Sequence, residues 1–141
     1  MPEVSTHRHI AARPEQVWAI LTNRAILADG SFGITRLDGD IALGNRLALY
    51  AEVAGDRAFK LRVTTFDPTR KMVWQGGMPL GLFTGTRTFT LAPAGAGTDF
   101  HMQEVFSGPL SGLIWKSIPD LEPSFDQFAQ ALDQHATGAT Q

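Results

Sequence analysis

The chain has 141 residues and no cysteine, which excludes disulfide scaffolding, thiol nucleophiles and thiolate metal centres. It also lacks a long apolar run. No stretch approaches the roughly 18 consecutive apolar residues of a membrane-spanning helix. The opening residues, Met1-Pro2-Glu3-Val4-Ser5-Thr6-His7-Arg8, contain nothing like the apolar segment of a secretory signal. Charge of one sign is missing as well: 12 Lys and Arg stand against 14 Asp and Glu, for a net charge of −2. The basic residues are scattered, so no nucleic-acid footprint is expected. There is no Gly-x-Ser-x-Gly elbow, and Gly95-x-Gly97 precedes a strand pattern rather than a helix, which argues against a serine hydrolase and against a phosphate cradle. The four histidines, His7, His9, His101 and His135, lack metal-ligand spacing, so neither a metal nor a cofactor is expected. What these exclusions leave is a single domain over residues 1–141, cytoplasmic and without stable membrane insertion. Its 43% hydrophobic and 18% charged content is that of an ordinary globular protein.

What is present is strict alternation near the C-terminal end. Phe83, Gly85, Arg87, Phe89 and Leu91 share one face, with Thr84, Thr86, Thr88 and Thr90 on the other. The pattern returns in Phe100, Met102, Glu104 and Phe106 against Asp99, His101, Gln103 and Val105. A period of two is the signature of a half-buried antiparallel strand, and Ala92-Pro93-Ala94-Gly95-Ala96-Gly97 supplies the turn. A turn centred on Gly95-Ala96 sets Leu91 opposite Phe100, Phe89 opposite Met102 and Gly85 opposite Phe106. In that register Arg87 faces Glu104 on the apolar side, within about 5 Å at Cβ. Desolvating two charges costs several kcal/mol per ion, and an apolar pair is often at least as stable. An ion pair on an inner face therefore points to an interior that holds something besides packed side chains, namely a cavity.

Upstream, Val4 to Ala12 reads as a first strand. Pro14 opens a short helix carrying Val17, Trp18 and Leu21, and Asn23 caps a second helical turn, Ala25 to Ala28. Four strands follow, Gly33–Leu37, Asn45–Val53, Ala58–Phe66 and Lys71–Gly76, separated by Gly, Asp and Pro turns. The second of them places Leu47, Leu49, Ala51 and Val53 inward, the third Phe59, Leu61, Val63 and Thr65, and the fourth Met72 and Trp74. After Gly108 the period becomes helical: Pro109 begins a segment with Leu110, Leu113, Ile114 and Ile118 on one side and Trp115 well off it. Pro119 interrupts. Asp120 then caps a longer helix striped by Leu121, Phe125, Phe128, Ala129, Leu132 and Ala136, with residues 136–141 as a frayed tail. The fold class expected is α+β: a curved antiparallel seven-stranded sheet wrapped around a long C-terminal helix, with two short helices after the first strand.

The chain resembles the SRPBCC, or START-like helix-grip, superfamily of lipid-transfer domains and polyketide cyclases. The residues that carry the resemblance are Ile10-Ala11-Ala12-Arg13-Pro14-Glu15-Gln16-Val17-Trp18, Leu37-Asp38-Gly39-Asp40-Ile41-Ala42-Leu43-Gly44, Met72-Val73-Trp74-Gln75-Gly76 and Phe83-Thr84-Gly85-Thr86-Arg87-Thr88-Phe89. Farther on they are Gly97-Thr98-Asp99-Phe100, Glu104-Val105-Phe106-Ser107-Gly108-Pro109-Leu110 and Pro123-Ser124-Phe125. The resemblance spans about Val4 to Ala136. It implies a deep pocket between sheet and terminal helix, and it transfers no fixed catalytic signature.

The expected activity is binding of a hydrophobic or aromatic small molecule, or a lipid, in that cavity. Arg87 and Glu104 would orient its polar group, or else form a structural ion pair that fixes strand register or lies at the rim in water. Trp74, Met72, Phe59 and Leu61 would line the wall, together with Leu49, Phe89, Phe100, Met102 and Phe83. An enzyme of the polyketide cyclase or dehydratase kind would use the same cavity but needs an unpaired acid or base facing inward. Tyr50 qualifies only with reversed strand parity, and Asp29 only if its loop turns into the mouth. An interaction module with a collapsed cavity is the third reading. Trp115 could gate the mouth or meet a partner subunit, which makes a homodimer one of the arrangements expected. The glycine-rich apolar run Gly76–Phe83 reads as a loop, either a lid or a twisted connection between strands.

Overall fold

The computed structural model describes residues 2–52, 55–117 and 120–138. Its elements are β1 (Glu3–Ile10), α1 (Pro14–Leu21), α2 (Arg24–Leu27), β2 (Ile34–Asp38), β3 (Arg46–Ala51), β4 (Ala58–Asp67), β5 (Lys71–Gly77), β6 (Thr84–Ala94), β7 (Gly97–Ser107), α3 (Ser111–Ser117) and α4 (Glu122–Thr137). The strands form one antiparallel seven-stranded sheet in the order β1-β7-β6-β5-β4-β3-β2. Short turns make β2 to β7 a meander, and β1 returns to pair with β7.

Local chemistry accounts for the helix starts. Pro14 occupies the first turn of α1, where a missing N–H is harmless, and the Arg13 amide donates to Gln16 Oε1 at 3.3 Å. Asn23 Oδ1 accepts from the Ile26 amide at 3.1 Å and starts α2 as expected. Asp120 Oδ1 accepts from the Glu122 amide at 3.1 Å and braces the start of α4. α4 buries Phe125, Phe128, Ala129, Ala131 and Leu132. It lies chiefly against β1 and α1, where Thr6 donates to Asp126 at 2.9 Å and Arg8 to Asp133 at 2.7 Å.

The register of the last hairpin is the expected one. Gly85 pairs with Phe106, Arg87 with Glu104, Phe89 with Met102 and Leu91 with Phe100. Elsewhere the structure corrects the sequence reading. A bulge at Thr64 shifts the register between Val63 and Thr65, which turns Thr65 to the outer side and brings Phe66 in, opposite Met72. α3 starts at Ser111, two residues after Pro109. Its apolar stripe does not choose the buried side, because Leu113 is 70% exposed. Trp115 instead is partly buried, with its ring centroid 5.4 Å from that of Phe106. A large ring offered a neighbouring ring gains more by turning inward than a lone leucine does. α4 continues through Thr137 and closes on Gly138 at φ 73°, whose N–H reaches Gln134 O, so the helix outlasts the boundary set for the tail. Val53, Ile118 and Pro119 lie outside the described residues.

Candidate functional site

The concave face of the sheet divides into a packed half and a partly open half. In the packed half, Met72, Trp74, Phe89 and Phe100 are 0% exposed and Met102 is 1% exposed. Phe128 of α4 reaches down onto them, with ring centroids 5.9 Å from Phe89 and 6.3 Å from Phe100, and Trp74 meets Phe89 edge-on at 4.8 Å. A side chain with almost no exposure touches no water-sized void, so these five are closely packed in this structure, and Leu49 is buried at 5%. The aromatic side chains are large enough to fill the space under the helix themselves. Phe59 departs from its expected role in the other direction. It shares the face of Leu49 by register but is 40% exposed, because it stands beyond the part of the sheet that α4 covers.

The partly open half begins at the ion pair. Arg87 Nε donates to Glu104 Oε1 at 2.8 Å, and Nη2 approaches the same oxygen at 2.7 Å. The side chains are 22% and 15% exposed. The pair is thus on the inner face, as expected, near the boundary of the core. Phe125 of α4 lies under the guanidinium, 4.9 Å from its carbon, a cation–π contact that fixes the plane of the fork. Glu104 rests against Gly85: a Cβ built there would come 2.9 Å from Glu104 Oε2 and 3.4 Å from the Phe106 ring. Leu61 leans in the same way over Gly76, where an added Cβ would come 2.8 Å from its Cδ2. The two glycines, paired across β5 and β6, let longer neighbours lie flat on the sheet. Phe83, Phe106 and Trp115 form a chain of rings at this end, with Phe83 stacked on Phe106 at 5.6 Å and 12°.

One buried polar atom is unsatisfied. Among the described residues, Trp74 Nε1 is the buried side-chain donor that finds no hydrogen-bond partner. Trp74 pairs directly with Arg87 across β5 and β6, so the orphaned N–H belongs to the residue beside the ion pair. A buried donor left without an acceptor costs about 1–3 kcal/mol. Such a cost is usually met by water or by a ligand atom.

The other candidates fall elsewhere. Tyr50 alternates with the buried Leu49, faces outward, and carries Arg36 over its ring at 5.5 Å. Asp29 lies in the turn before β2 rather than at the ion pair. Its carboxylate accepts from the Ser31 amide at 2.9 Å and hydroxyl at 2.6 Å, and His135 Nε2 stands 3.0 Å away. Burial pushes the Asp29 carboxyl up, but the Ser31 hydrogen bonds and the His135 charge outweigh it and hold the group below its ordinary value. The Gly76–Phe83 run is tied at both ends: the Met78 amide donates to Phe83 O at 2.8 Å and the Leu110 amide to Leu82 O at 3.0 Å. Its Leu80 is 95% exposed. Of two surface recesses, one lies between α1, α2 and the Asp40-Ile41 segment and the other on the outer side of β2 to β5; neither sits under α4.

Two members of the site are visible in the sequence in other roles. Phe125 belongs to the helix stripe, and Phe106 to the strand face. Gly85 stands next to Arg87 in the alternation, and its missing side chain is the signal that something has to lie over it.

A curved antiparallel seven-stranded sheet against a long C-terminal helix defines a helix-grip-like fold. The chain belongs to the family described as polyketide cyclase / dehydrase and lipid transport, whose model matches residues 1–137. Solved structures agree in fold. The protein MLL2253 of Mesorhizobium loti is 21% identical, with 99% of each chain covered and a TM-score of 0.75. The Aha1 dimer of Colwellia psychrerythraea is 16% identical over 95% of each chain, with a TM-score of 0.72. DynU16, a putative protein of the dynemicin biosynthetic locus, is 15% identical over 97% of this chain and 48% of its own, with a TM-score of 0.69. No curated protein matches. At these identities the likeness is one of fold.

Proposed function

We propose that the protein binds an apolar small molecule carrying one acceptor group, a carboxylate or carbonyl, at the partly open end of the concave face. The observation that carries this reading is the partly exposed Arg87–Glu104 pair, with Trp74, whose buried N–H has no partner, as the cross-strand neighbour of Arg87. Arg87 spends its Nε and Nη2 on one oxygen of Glu104, and a planar guanidinium has further donors to offer a second acceptor. The indole N–H supplies another after a small opening of the core. Leu61, Phe83 and Trp115, partly buried against the core, would take the apolar body. Burial there is worth about 25 cal/mol per Å². The family description, which joins cyclisation with lipid transport, fits such a ligand.

The solid packing beneath Phe128 favours a second reading, an interaction module whose sheet meets another protein while no ligand enters. A cyclase or dehydratase gains less support, because Arg87 and Glu104 are bonded to each other rather than poised over a substrate. Native mass spectrometry of the purified protein, with displacement of a fluorescent fatty acid, separates the first two. Ligand carry-over, or displacement weakened about tenfold or more by Arg87→Leu, as loss of a charge-assisted hydrogen bond implies, supports binding. No retained molecule and no displacement at high micromolar probe supports the interaction module.

A further inference from the structure

On the outer side of the sheet, away from the ion pair, β3 and β4 set two arginines directly opposite each other: Arg46 pairs with Arg62. Like charges at directly opposed positions destabilise a sheet, so this pair opposes folding. Lys60, opposite Ala48, adds a third cation. All three side chains are exposed, and no salt bridge among the described residues engages any of them. They surround a recess of about 600 Å³. Besides the three cations its lining includes Ala48, Gly76 and Gly77, which carry little or no side chain, and Gln75. Asp38, the one acid at the rim, is held by Arg36 at 2.9 Å. The rim therefore keeps an excess of positive charge.

We infer that this recess is a binding site for a phosphate-bearing group, free in solution or displayed as a lipid headgroup. Two guanidinium forks and an ammonium around one recess suit a compact multivalent anion, which arginine recognises through paired N–H donors. The anion would relieve the Arg46–Arg62 repulsion, so its binding and the stability of β3 and β4 are coupled.

The test uses the whole protein with two probes, inorganic pyrophosphate and phosphatidylcholine vesicles with or without phosphatidic acid. Titration calorimetry and thermal unfolding follow the first, and co-sedimentation follows the second. Without anion, Arg62→Gln is expected to melt at or above the wild-type temperature, which also shows that the variant folds. Pyrophosphate raises the wild-type melting temperature, and Arg62→Gln and Arg46→Gln each weaken its binding by about tenfold, the loss of a charge-assisted contact. Binding of pyrophosphate alone assigns a soluble anion, binding of phosphatidic acid vesicles alone assigns a headgroup, and binding of both assigns the shared chemistry. Each supports the inference provided that the two arginine variants abolish or weaken it. Binding of neither probe, or binding unchanged in both variants, overturns it. Because Arg87 lies on the opposite side, Arg87→Leu should leave pyrophosphate binding unchanged, so this result stands or falls apart from the ligand reading.

Discussion

Replacing Arg87 by leucine should destabilise the protein more than replacing Arg87 and Glu104 together. In Arg87→Leu the Glu104 carboxylate keeps its place over Gly85, 15% exposed, without either of its bonds from the guanidinium. Removing one member of a fully buried pair costs about 3–5 kcal/mol. Exposed pairs are worth only about 0–1 kcal/mol. At 22% and 15% side-chain exposure this pair lies between those limits, so about 2–3 kcal/mol is expected for Arg87→Leu. The stacking on Phe125 lost at the same time contributes about 0.5–1 kcal/mol of it. The double variant removes both charges and adds apolar surface to an apolar face, and should lie within about 1 kcal/mol of the wild type. With Glu104→Leu as the second single variant, the two single losses together should exceed the loss in the double variant by at least about 1 kcal/mol, which is the coupling. Urea unfolding followed by tryptophan fluorescence measures it as shifts in midpoint at constant slope. Additive losses, or a double variant less stable than Arg87→Leu, would refute the view that the two charges are mutually compensated on the inner face.

Gly85→Ala should cost about 1–2 kcal/mol, the lower part of the range for overpacking, because its methyl group pushes Glu104 Oε2 away from the sheet; chemical denaturation should show most of that cost gone in a Glu104→Ala background. Leu80 sits at φ 63° with its side chain 95% exposed, so Leu80→Gly relieves a left-handed backbone without losing packing. A stability gain of about 0.5–1 kcal/mol is expected from the same unfolding assay. Asp29 has a lowered folded-state pKa, so its contribution is present above the unfolded value and lost as pH falls through the folded one. Asp29→Asn should therefore be less stable than the wild type at pH 7, by no more than about 1 kcal/mol because solvent screens a carboxylate this exposed. The two should converge in unfolding measurements as the pH falls below the ordinary carboxylate range.

The alternation of residues 83–106 makes the last hairpin, its register and the Arg87–Glu104 contact legible in the sequence, because a two-residue period with one turn allows a single pairing. The stripe Phe125, Phe128, Ala129 and Leu132 is equally plain. Three features are not. The bulge at Thr64 changes parity within a strand and leaves no compositional mark. The turning of α3 toward Trp115 depends on where the Phe106 ring stands, a long-range contact that a seven-residue helix cannot reveal through its own period. Whether Phe89 and Phe100 line a void or meet Phe128 depends on side-chain volumes summed over four elements, and the same inward residues serve either outcome.

The most direct test follows the indole N–H resonance of Trp74, assigned with a Trp74→Phe variant, in ¹⁵N-labelled protein titrated with a straight-chain carboxylic acid such as decanoate. Binding at the open end should move that resonance saturably, with a smaller movement or none in Arg87→Leu. A Trp74 signal unmoved through a titration that reaches millimolar acid would contradict the ligand-binding account.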